Sequence, residues 1–167
     1  MEVGIAEANG VGIASGLALN GFKPFLASFS SFITGKNLEI RCSISYNNAP
    51  VVIIGTHGGM IGADGATQSG LQDISVMRSL PNFNIYQPCS NLETAQIINH
   101  VSKLNTPAYV RIARNVIPHV EHIHSILKDV ENILSEKSIV VIEFHYAKII
   151  QEELHYDSIY HEHLFYF

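Results

Sequence analysis

Four short apolar runs, each punctuated by Gly, Pro or Asn, constrain the fold of this chain more than any other feature. The stretches "FKPFLASF", "APVVIIGTH", "NFNIYQP" and "TPAYVRIAR" read as strands. Helical patterning falls between them, over residues 8–19, 31–46, 71–79 and 91–104, the last with Asn91 as its N-cap. Alternating strand and helix, with strands that are apolar almost throughout, predict a parallel sheet covered by helices on both faces, a three-layer α/β/α architecture. Ligands of such sheets lie beyond the carboxyl ends of the strands. Glu7, Phe29 with Phe32, His57 and Arg114 all fall where predicted strands end or helices begin, so one rim should gather them.

Composition narrows the partners. With 15% charged residues, a net charge of −5 and no basic block, the chain is not patterned for nucleic acid or an anionic membrane. No apolar run reaches the roughly 18 to 20 residues of a membrane span, and the amino-terminal "MEVGIAEAN" lacks the positive flank of a signal peptide. Cys42 and Cys89 stand apart, without a CxxC pair, which suggests two buried thiols in a reducing, cytoplasmic setting. His119, His122 and His124 match no common zinc spacing, and no metal site is expected.

Glu7 is a carboxylate set among small and apolar residues in "VGIAEANGVGIASGLAL". Apolar surroundings disfavour an ionised carboxylate and suit a group that shares a proton. The plainer alternative is a surface Glu at a helix start, where the macrodipole favours negative charge. The adjacent "GVGIASG" has its third glycine one position late for a dinucleotide fingerprint and no acidic residue on a second strand, so tight helix packing on the sheet is the better account of it.

The residues from Val3 to Pro118 resemble the pyrimidine-binding domain of transketolase and its thiamine-diphosphate-dependent relatives, deoxyxylulose-phosphate synthase among them. "GIAEAN", the paired aromatics of "SFSSF", the loop pieces "GTHGG" and "GADGAT", then "LPNFNIYQP" and "RIAR" follow in the family order. The resemblance implies that Glu7 hydrogen-bonds the ring nitrogen N1′ of the cofactor's aminopyrimidine and so activates it. It also implies that Phe29 and Phe32 hold that ring by stacking, that His57 and Arg114 grip a sugar phosphate, and that Asp64 recognises a donor hydroxyl. Gln68 stands where the family carries a histidine; its amide can bind a hydroxyl but cannot exchange protons. Core packing for the two Phe, a satisfied rim position for His57 and a surface ion pair for Arg114 are the plainer readings.

The same resemblance implies that the domain lacks its first βα unit, since Met1 stands six residues before Glu7. No GDG…N motif occurs in the sequence, so Mg²⁺ and the cofactor diphosphate are expected on a diphosphate-binding transketolase subunit, in a homo- or hetero-oligomer. The expected organisation is residues 1–118 as an amino-terminally shortened pyrimidine-binding domain, 119–136 as a helical junction and 137–167 as a separate carboxyl-terminal fragment. In that last piece "DSIYHEHLFYF" resembles a motif of S-adenosylmethionine-dependent sugar C-methyltransferases, where Glu162 and His163 match acid/base positions at the sugar. Function therefore divides between a split transketolase-like enzyme moving a two-carbon ketol unit between sugar phosphates and two alternatives, a non-catalytic fused remnant or a methyltransferase-related sugar-binding piece.

Overall fold

A computed structural model describes residues 3–59, 65 and 67–113, together with the backbone of 138–142. Its elements are α1 (Glu7–Leu19), β1 (Lys23–Phe29), α2 (Ser30–Thr34), α3 (Asn37–Glu39) leading into a π-helix (Ile40–Ser45), β2 (Val52–Thr56), α4 (Asp73–Arg78), β3 (Asn84–Tyr86), α5 (Asn91–Val101), β4 (Ala108–Arg111) and β5 (Ser138–Ile142). The five strands form one sheet in the order β3-β4-β2-β1-β5, and every pairing is parallel.

Strand periodicity explains the layers. Leu26, Ile53 and Tyr109 project to one face, where they pack with Val11 and Ala14 of α1, Ile33 of α2, Ile40 and Ile44 of the π-helix and Met77 of α4. Their neighbours Phe25, Val52 and Val110 project to the other face and pack with Val101 and the half-buried Ile97 and Ile98 of α5. Both faces are thus covered, and the predicted three-layer α/β/α architecture with its parallel sheet is observed.

The strand expectations hold for β1 to β4, and residues 138–142 supply β5, which pairs with β1 through Phe25 opposite Val140. The helices depart from expectation in two places. The helix expected over 31–46 is broken into α2, α3 and a π-turn. Side chains take up the carbonyls of this widened turn: Ser15 Oγ donates to Ser43 O at 2.7 Å, and Asn47 Nδ2 donates to Cys42 O and Ser43 O at 3.1 and 2.9 Å. The N-cap of α5 is Ser90, not Asn91. Ser90 is extended (φ −149°, ψ 164°) and its Oγ accepts from Glu93 N–H, while the Glu93 carboxylate reaches back to accept from Cys89 N–H at 2.7 Å. Both cysteines are exposed rather than buried: Cys42 lies on the outward side of the π-turn and Cys89 in the loop ahead of α5.

α1 ends in a Schellman turn, with Phe22 N–H bonded to Leu17 O, Gly21 N–H bonded to Ala18 O, and Gly21 at φ +85°. The turn delivers the chain at once into β1, so α1 runs antiparallel to β1 and its first residue lies at the strand's carboxyl end. Gly10 marks the closest approach: a Cβ there would stand 3.1 Å from Leu26 Cδ1. Nothing lies within 4 Å of the equivalent positions on Gly12 and Gly16, so tight packing accounts for only the first glycine of "GVGIASG".

At the opposite end of β1, half-buried Lys23 donates from Nζ to Leu104 O at 2.7 Å. Desolvation lowers its pKa from 10.5 to about 8. Between those values the unfolded chain binds more protons than the folded one, so this lysine's destabilising contribution is fully present below pH 8 and relieved as pH rises to 10.5. The stability of the wild type relative to Lys23→Met, from urea unfolding at stepped pH, is therefore expected to increase across that window. A flat difference would show that burial does not disfavour the charged amine.

Candidate functional site

The rim at the carboxyl ends of β1, β2 and β4 is where the chemistry-bearing side chains meet. β1 closes with Phe29, and the chain turns directly into α2, which carries Phe32 one turn on. The two rings lie 5.3 Å apart with planes within 2° of parallel. β2 delivers His57, whose ring stacks on Phe29 at 3.8 Å and 21°. His57 adopts φ +55°, a left-handed conformation that is uncommon outside glycine and turns the chain sharply off the strand. Thr56 Oγ donates its one proton to Ser28 O at 3.3 Å, so the 3.1 Å contact from His57 Nδ1 to the same oxygen requires the ring nitrogen to donate. His57 is only 6% exposed.

Glu7 opens α1 and is 8% exposed. It lies one helical turn beyond Gly10, which packs on Leu26, and Leu26 is three residues short of Phe29. The carboxylate is therefore at the same end of the sheet as the stacked rings. It is buried rather than on the surface, and it also sits in the first helical turn, where the macrodipole favours a negative charge.

Gln68 is half-buried and its Oε1 accepts from the Thr67 hydroxyl. Asp64, Arg114, Glu162 and His163 lie outside the described residues, as does the patterned junction at 119–136. Among the described residues, no group of acidic, His or Cys side chains is arranged to hold a metal, and no helix is long and apolar enough to cross a membrane.

A cluster that sequence reasoning missed lies beneath this rim. Asp73 is 1% exposed and Tyr109 fully buried. Tyr109 Oη donates to Asp73 Oδ2 at 2.8 Å, and Arg111 Nε approaches the same oxygen at 3.0 Å as an ion pair whose N–H is not aligned for a hydrogen bond. Burial and the neighbouring Asp73 carboxylate both push the Tyr109 phenol well above its ordinary range. Arg111 also donates from Nη2 to Gly70 O at 3.1 Å and from Nη1 to Gln87 Oε1 at 3.3 Å. Glycines make room for these groups: a Cβ on Gly58 would stand 2.5 Å from Arg111 Nε, one on Gly55 would overlap the Tyr109 hydroxyl, and one on Gly70 the Ser30 hydroxyl. The one signal in sequence was the i, i+2 spacing of Tyr109 and Arg111, which puts both on one face of a strand. Asp73, 36 residues away from Tyr109, gave no local sign.

Comparison with known proteins gives the family. The family described as "Transketolase, pyrimidine binding domain" matches residues 1–119. The chain is 38% identical over 122 residues to a subunit of the apulose-4-phosphate transketolase of Phocaeicola vulgatus, covering 72% of this chain and 39% of that protein. It is 36% identical over 113 residues to a 1-deoxy-D-xylulose-5-phosphate synthase of Nitrosospira multiformis, covering 68% of this chain and 18% of that protein. The chain thus spans well under half the length of these relatives. Among solved structures, a split-gene transketolase described as an inactive beta4 tetramer superposes with a TM-score of 0.60 at 34% identity, over 65% of this chain and 35% of that one. The match runs over most of the chain and the fold accords with it: the chain belongs to the transketolase pyrimidine-binding domain family.

Proposed function

We propose that this chain supplies the aminopyrimidine-binding half of a thiamine-diphosphate site, completed by a diphosphate-binding partner chain that holds Mg²⁺. The assembled enzyme then moves a two-carbon ketol unit between sugar phosphates. The observation that carries the reading is a buried carboxylate, Glu7, at the same sheet end as two parallel phenyl rings. That set fits an aminopyrimidine, whose flat face needs an aromatic platform and whose ring nitrogen needs a proton-sharing partner.

Bound thiamine diphosphate supplies the carbanion chemistry at its thiazolium C2. The chain's own residues do the rest. Glu7 hydrogen-bonds the ring nitrogen N1′ and shares a proton there. Phe32 offers the stacking platform; Phe29, one side of which His57 covers, backs it. His57 and Arg114 take the sugar phosphate, with Asp64 and Gln68 reading hydroxyls. Gln68 brings an amide to a place where the family has an ionisable ring, so any proton transfer at the substrate falls to another group.

Two relatives, one named as a subunit and one described as split-gene, support the need for a second chain. The test is capture of tagged full-length chain from source-cell lysate with thiamine diphosphate and Mg²⁺, followed by identification of bound chains and a ketol-transfer assay. Recovery of a chain carrying the GDG motif, with transfer activity that neither chain shows alone, is expected. Recovery of the chain alone and inactive would identify a remnant that no longer does this chemistry.

A further inference from the structure

The link from β2 to α4 leaves the sheet at Gly58 and Gly59 and returns to it at Gly70, and both ends are fastened at one carbonyl. Gly70 O accepts from Gly59 N–H at 3.1 Å and from Arg111 Nη2 at 3.1 Å, which uses both its lone pairs. Gly58 N–H in turn donates to Ile112 O at 3.2 Å, and Ile112 N–H to Gly55 O at 2.8 Å. The arginine that closes the clasp is itself held by Asp73, on the far side of Gly70. Tyr109 Oη fixes that carboxylate from beneath.

We propose that Asp73, Tyr109 and Arg111 act as a positioning unit that sets the two ends of this link. They fix the placement of His57, which directly precedes Gly58, and of Gln68, two residues before Gly70. The functional meaning of that placement rests on the sugar-phosphate reading above; the clasp itself does not. The guanidinium donates to Gly70 O and to Gln87 and pairs with Asp73, so the structure ties Arg111 to the ends of the link. A carboxylate this deeply buried needs its cation, and in a low-dielectric setting each bond in the cluster restrains its neighbours more strongly than it would in water. Lysine keeps the charge but has no planar fork able to reach three partners at once.

Hydrogen exchange on the full chain tests the clasp without any partner. In Arg111→Lys, protection of the Gly59 amide and of the 69–72 segment is expected to fall about tenfold or more, the equivalent of one charge-assisted hydrogen bond. The amides of β1 and β2 should stay within about twofold of wild type. Tyr109→Phe, which removes one hydroxyl and no charge, should show the same pattern more weakly and serves if Arg111→Lys fails to fold. Unchanged protection at Gly59, or a uniform loss across the chain, would overturn the proposal, since the first means no clasp and the second a purely global stabilising role. In the assembled enzyme, Arg111→Lys should raise KM for the sugar phosphate about tenfold while kcat and the thiamine diphosphate requirement hold. A fall in kcat at unchanged KM would overturn the link to substrate placement. Should the assembled enzyme show no ketol transfer at all, the exchange result still decides the clasp, so the two failures are distinguishable.

Discussion

Glu7→Gln is expected to lower ketol transfer by the assembled enzyme about 10²- to 10⁴-fold, the range for loss of a positioned acid/base group. The substitution keeps the length and shape of the side chain and one acceptor oxygen, so the amide can still face the ring nitrogen. What it removes is the ability to share a proton there. The fold should survive: Glu7 makes no ion pair among the described residues, and interaction of a carboxylate with the first turn of a helix is worth at most about 2 kcal/mol. Steady-state rates measured alongside far-UV circular dichroism separate the two effects. Activity within a few-fold of wild type would assign Glu7 to helix-start electrostatics, the plainer of the two roles open to it.

Ile53→Ala should have the largest effect on stability, a loss of about 2–5 kcal/mol in urea unfolding, against a total of about 5–15 for a domain of this kind. Ile53 is fully buried in β2, the middle strand of the sheet, paired with Leu26 on one side and Tyr109 on the other. It packs in the cluster that α1, α2 and α4 cover, so truncation leaves a cavity beneath elements that cannot all move in. Leu19→Ala is the control. That side chain is 59% exposed at the end of α1 and should cost no more than about 0.5 kcal/mol. Equal losses at the two positions would mean that the sheet does not carry the core.

How much of this was legible in the sequence follows from which interactions are local. The strands and the two-sided burial were readable because Phe25/Leu26, Val52/Ile53 and Tyr109/Val110 sit in runs that are apolar almost throughout, as a sheet covered on both faces needs. The break in the 31–46 helix was not readable. It depends on Ser15 reaching Ser43 O, a contact 28 residues apart, together with a wide turn that no periodicity announces. The N-cap of α5 falls one residue before the expected Asn91, although "SNLE" carries the Ser-x-x-Glu pattern that marks Ser90. At the site, Glu7 stood out as a carboxylate in apolar company, and the aromatics as a pair. The stacking of His57 on Phe29 and the joining of Asp73 to Tyr109 and Arg111 were invisible, because each brings together residues from different elements.

The central claim is that this chain provides half of a cofactor site. Calorimetric titration of thiamine diphosphate and Mg²⁺ into the chain, into the captured diphosphate-binding partner and into their equimolar mixture tests it most directly. Tight binding by the mixture alone, weakened by Phe32→Ala, is the expected result. Equal affinity for the partner with or without this chain, and no effect of Phe32→Ala, would contradict it.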